Sequence, residues 1–145
     1  MICSVSPGVS GGMGDALSLR VPDPQNAADL LERTKQFALD ALEFYRHLPN
    51  TEEAHVAGDQ FLRASSSVAA NYRAAKRGRS RKEFAAKLGL VLEEVDESVY
   101  WLEYMRDGHI ASNPVLMSEA KQLCAIFTAA YGTASGRYSS RRRAL

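Results

Sequence analysis

Apolar residues return at steps of three and four along most of this chain, the period of helices that each bury one face. From Ala27 to Leu48 the residues Leu30, Leu31, Phe37, Ala38, Ala41, Leu42 and Tyr45 share a stripe, and Pro49 stops the run because its ring cannot continue a helix. Asn50 with Glu53 forms a capping box that opens a second helix, whose stripe holds Phe61, Ser65, Val68, Ala69 and Tyr72. Its small residues, Ala64 to Ser67 with Ala69 and Ala70, allow close approach of a neighbour inside the chain or across a subunit boundary, and Gly78 breaks it. Ser80 with Glu83 caps a long third helix carrying Phe84, Leu88, Val91, Leu92, Val95, Val99, Leu102 and Met105 as far as Asp107. Gly108 suits its end. Asn113 before Pro114 then starts a fourth helix with Leu116, Leu123, Ile126, Phe127 and Ala130 inward.

The pattern therefore predicts an all-α, up-and-down antiparallel four-helix bundle over residues 27–135. Residues 1–26, rich in Gly, Ser and Pro, read as a flexible leader, and residues 136–145 as a short basic tail. A chain of 145 residues is long enough to bury a real core. No stretch reaches the apolar length of a membrane span, and the start lacks the charged and apolar regions of a signal peptide. Cys3 and Cys124 give neither a disulfide framework nor a metal spacing, so a cytoplasmic protein that meets no membrane is expected.

Charge matters locally. The net charge is only +1, yet six of the ten residues from Arg73 to Lys82 are basic: Arg73, Lys76, Arg77, Arg79, Arg81 and Lys82. They fall where the second helix turns into the third, where the third helix adds its positive dipole end and free amides. Phosphate is the natural ligand of that arrangement, and a solvated basic turn is the plain alternative. Arg63 and Lys87 extend the cluster, and Arg137, Arg141, Arg142 and Arg143 join it if the tail lies near. The third helix later becomes acidic at Glu93, Glu94, Asp96, Glu97, Glu103 and Asp107. Such polarity suits either a solvated face or the docking of one copy's basic end on the next copy's acidic flank. Tyr100, Trp101 and Tyr104 spread over more than one face, fit for core packing, a subunit interface or base stacking. Asn71 sits near the inward stripe of the second helix, and Arg63 and Glu97 are its candidate partners in a structural polar network.

Catalytic and metal patterns are not found. A two-metal carboxylate bundle needs Glu-x-x-His on two helices, and only Glu52 with His55 matches. No serine has a histidine spaced to activate it, and no phosphate-binding or dinucleotide loop occurs. The reading is a non-enzyme with no cofactor and no metal.

The run from Gln60 to Glu97, QFLRASSSVAANYRAAKRGRSRKEFAAKLGLVLEEVDE, resembles the small bacterial four-helix bundle family first known from intervening sequences in 23S ribosomal RNA genes. Gln60, Arg63, Ala64, Ser67, Val68, Asn71, Ser80, Glu83, Phe84 and Glu97 occupy the positions of that family's pattern, over a resemblance that spans about residues 28–133. Ala74 and Ala75 replace its Glu-Gly, and Val99 the second Glu of its last motif. The family includes the accessory protein of diversity-generating retroelements, a basic pentameric bundle that partners a reverse transcriptase and binds nucleic acid. The resemblance thus implies the bundle fold and a homopentamer, with RNA or DNA and a reverse transcriptase as partners to expect. A structural or protein-docking module, whose charged patches serve only assembly, is the rival expectation.

Overall fold

The computed structural model describes residues 27–136, and the leader and nearly all of the basic tail lie outside the described residues. Four helices follow one another: α1 (Ala27–Arg46), α2 (Glu52–Lys76), α3 (Arg81–Asp107) and α4 (Pro114–Ala134). Connections of four to six residues leave each helix little choice but to run back along its predecessor. The closest packing joins α2 to α3, then α3 to α4 and α1 to α2, and of the four neighbouring pairs around the bundle α1 and α4 touch least. This is the all-α four-helix bundle expected from the apolar period.

The core follows that period residue by residue. On α2, Ala54, Ala57, Phe61, Ala64, Val68, Tyr72 and Ala75 are buried, and on α3 Leu88, Val91, Val95, Leu102 and Met105 face them. Phe37 and Ala41 of α1 and Leu116, Ala120, Leu123 and Phe127 of α4 complete the interior. Two edge-on aromatic pairs join helices, Phe44 with Phe61 at 5.8 Å and Tyr72 with Phe127 at 5.3 Å between ring centres. The second pair sets the far end of α4 beside the end of α2. Buried Ser65 and Ser98 satisfy their hydroxyls within their own helices, on Leu62 O and Glu94 O. Small side chains at those points let α2 and α3 approach closely.

Caps define the helix ends. The Ser80 hydroxyl accepts from the Glu83 N–H at 3.1 Å and the Asn113 carbonyl oxygen from the Leu116 N–H at 3.0 Å, both at expected positions. Two boundaries differ from expectation. α1 ends at Arg46 rather than Leu48, because the His47 and Leu48 N–H groups bond back to Phe44 O and Tyr45 O in a tight turn ahead of Pro49. α2 is capped by Thr51, whose hydroxyl accepts from Ala54 N–H, and not by Asn50. Leu48 folds over this start: a Cβ on Gly58 would stand 2.5 Å from the Leu48 Cδ1, so glycine there admits the loop. At the end of α3 the left-handed residue is His109, with φ 58°, rather than Gly108. The N–H groups of Ile110 and Ala111 then close onto Met105 O.

Candidate functional site

The turn between α2 and α3 is only four residues long, and its backbone is held at both sides. Arg77 N–H and Gly78 N–H bond to Ala74 O and Ala75 O, which finishes α2. Ser80 caps α3, and the Glu83 carboxylate reaches back to the Arg79 N–H at 3.0 Å. The turn's backbone is thus tied to both helices, and the basic side chains extend from it. Glu83 also sets a carboxylate beside the α3 N-terminus and takes an amide there, so the positive dipole end is partly answered from within. The Ser80–Glu83 capping pair expected from the sequence is present, with the Glu83 carboxylate on the Arg79 N–H, so fewer amides are free at this helix start than its reading as a phosphate site implies.

Arg73, Lys76, Arg77, Arg79, Arg81 and Lys82 are all exposed, and Lys87 is half-buried. Arg73 of α2 and Arg77 at its C-cap face Arg79 and Lys87 across an open depression of about 570 Å³, with Ala70 and Ala74 between them and Glu83 on its rim. Lys76, Arg81 and Lys82 stand outside it. Among the described residues, none of these seven cations has an ion pair. Arg33, Arg46, Arg63, Arg106 and Lys121 each do. Lys35 is the other described cation without one. Unpaired positive charge is thus gathered at one end of the bundle.

Arg63 does not extend the depression. It bridges α2 and α3, bonding the Glu97 carboxylate through Nη2 and lying 3.5 Å from Glu94 Oε2 through Nη1. Trp101 Nε1 donates to the same Glu97 oxygen at 3.3 Å. The Arg63 bond holds the Glu97 carboxyl below its ordinary range. Burial pushes Glu94 the other way, and its Oε2 is a buried oxygen with no hydrogen-bond donor among the described residues. Its contact with Arg63 is an ion pair too long for a hydrogen bond. Asn71 is half-buried, and the structure shows no hydrogen bond from its side chain to Arg63 or Glu97. Eight residues, about 12 Å of helix, separate Asn71 from Arg63, so the network forms around Glu94 and Trp101 instead.

A second bridge, not anticipated from the sequence, joins α1 to α4, the sparsest of the four neighbouring helix contacts. Arg33 grips Glu119 with two bonds of 2.6 and 3.0 Å and also donates to Gln122. The aromatic trio divides: Trp101 is partly buried against the core, while Tyr100 and Tyr104 are 54% and 47% exposed. Among the described residues no three His, Cys, Asp or Glu side chains stand together as a metal site, and no helix is long and apolar enough to cross a membrane. Cys124 is a free thiol whose pKa burial raises.

These features define a class first, a small helical bundle whose unpaired cations crowd one end. The chain belongs to the 23S rRNA-intervening sequence protein family, whose model matches residues 27–129. Among solved structures it is similar to a protein of unknown function from the S23 ribosomal protein family of Bacteroides thetaiotaomicron. That likeness has 24% identity and a TM-score of 0.67, and covers 73% of this chain and 97% of the other, which speaks for the fold. The comparison with curated proteins yields no match.

Proposed function

We propose that this chain is a non-catalytic binding protein that holds the backbone of RNA or DNA at the α2–α3 end of its bundle. The observation that carries this reading is the segregation of charge: seven cations without ion pairs surround or flank one depression, while most other described cations are matched to carboxylates. A cation left unpaired beside others of like sign is electrostatically unfavourable until an anion arrives, and a polyanion relieves several such contacts at once. Arginine forks suit phosphate oxygens, and alanines at 70 and 74 leave the floor low enough for a backbone to settle between the two rows. Contacts of this kind position a nucleic acid without reading its sequence.

The test is fluorescence anisotropy with labelled single-stranded RNA and duplex DNA, on the wild type and on the triple variant Arg77→Glu, Arg79→Glu, Arg81→Glu. Binding by the wild type that the variant loses, with its melting temperature and oligomeric mass kept, is the expected result. A folded wild type that binds neither ligand at low salt ends this reading. Loss of oligomeric mass in the variant would move the cations to subunit assembly or protein docking.

A further inference from the structure

The opposite end of the bundle carries an open groove of about 660 Å³ between the start of α2 and the end of α3. Thr51 and Glu53 line one side, and Tyr100, Glu103, Tyr104 and Asp107 the other. The two tyrosines are about half exposed and held in place: both rings pack edge-on against Trp101, at 5.0 and 5.3 Å. Exposed aromatic faces fixed in advance lose little entropy on contact, and beside carboxylates they favour a guanidinium, which stacks on the ring while its N–H groups reach the acid. Glu53 is exposed and has no ion pair among the described residues. Glu103 meets Lys121 at 3.5 Å and Asp107 meets Arg106 at 2.7 Å, exposed pairs that an incoming arginine can share or replace.

An arginine-rich occupant lies in this chain outside the described residues: Arg137 followed by the triplet Arg141, Arg142 and Arg143. It departs from the end of the bundle opposite the groove. The Tyr72–Phe127 pair puts the end of α4 beside the unpaired cations of the α2–α3 turn, whose like charge disfavours the tail there. Lys121 is level with Glu103, and Gly136 lies fifteen residues farther along. That separation is about 22 Å along the axis, or about 24 Å once a helix width to the side is included. A fully stretched chain from Gly136 carries Arg141 about 17 Å, Arg142 about 20 Å and Arg143 about 24 Å, so only the last of the triplet comes level with its own groove, and only at full extension, whereas a second copy's triplet meets no such limit.

We infer that the tyrosine groove receives the arginine triplet, residues 141–143, of a second copy of this chain. The contact is heterologous: the tail end of one bundle engages the α3 C-terminal end of the next. It uses neither Arg77 nor Arg79, so it stands apart from the nucleic-acid reading.

Sedimentation velocity on the full chain, over a range of concentrations in about 50 mM salt where exposed charges are weakly screened, tests this. Three forms are compared with the wild type: the triplet reversed (Arg141→Glu, Arg142→Glu, Arg143→Glu), the groove reversed (Glu53→Arg, Glu103→Arg), and both together. Each reversal alone should weaken association by about tenfold or more, and the combination should restore most of it. Tyr100→Ala with Tyr104→Ala, at exposed positions, should weaken it as well, with thermal melts reporting the fold of every form. A wild type that does not associate, association indifferent to the triplet, or a combination that restores nothing overturns the inference. So does a triplet reversal that costs nucleic-acid binding and leaves association unchanged. Reversal of Arg77, Arg79 and Arg81, which decides the nucleic-acid reading, should leave tail-dependent association in place.

Discussion

Salt dependence offers a way to count how many junction cations meet phosphate. Each phosphate neutralised on duplex DNA releases counterions and steepens the slope of log K against log salt by about 0.9. If only the four cations lining the depression engage, the slope per chain is about −3.6, and affinity falls by roughly 150-fold between 50 and 200 mM salt. If all seven engage, the slope is about −6.3 and the fall roughly 6,000-fold. Arg77→Gln removes one lining cation and should flatten the slope by about 0.9, leaving binding about 3.5-fold less sensitive over that range. Lys87→Gln should do the same, because Lys87 lines the depression from α3. Lys35→Gln is the control, an exposed cation on α1 that also lacks an ion pair. The assay is anisotropy at five or more salt concentrations with a duplex too short to seat two chains. A slope that Arg77→Gln and Lys87→Gln leave unchanged, or that Lys35→Gln changes equally, refutes the placement of phosphate in the depression.

Other perturbations test the fold and its polar bridges. Phe127 has no exposure and packs edge-on against Tyr72, so Phe127→Ala should cost about 3–5 kcal/mol in a denaturant melt. A loss below about 1 kcal/mol would mean that the α2–α4 contact is not part of the core. His109 holds a left-handed backbone that glycine adopts without penalty, and His109→Gly should raise stability by roughly 0.5–1 kcal/mol; a lowered melting temperature would contradict this. Burial, more than any neighbour, raises the Glu94 carboxyl above its ordinary value of 4.5, so its ionised form opposes folding. Its contribution is most favourable below about pH 4.5 and is lost as pH rises through the folded-state value. Glu94→Gln should therefore raise the melting temperature at pH 7 and give no such gain at pH 4. The reverse pattern would make the Arg63 pairing, rather than burial, the dominant influence on Glu94.

Local patterns in the sequence determined much of this architecture, and its misses have physical causes. Ser80 and Asn113 are legible as caps because capping involves only the next three residues. At the start of α2, Asn50 and Thr51 are adjacent capping types, and the choice between them depends on how Leu48 seats against Gly58, a tertiary contact. The basic run is visible as composition. Its depression is not, since the facing of Arg73 and Arg77 by Arg79 and Lys87 depends on how α2 and α3 register. The same register explains Asn71: helix phase places it near the inward stripe, but the carboxylates of α3 come level with Arg63, two turns away. The Arg33–Glu119 bridge joins residues 86 apart in the chain, and no short-range pattern announces it.

The dominance of the α2–α3 contact bears on the order in which the molecule assembles. Closing a four-residue turn is entropically cheap, and the pair it joins already carries the Arg63 bridge and every cation of the depression. Contacts between sequence neighbours form early in helical chains, so residues 52–107 are the natural folding nucleus. The seam between α1 and α4, the widest closure in sequence, joins last and opens first. Under native conditions amide exchange should then be fastest along that seam, while the end that bears the cations stays shut.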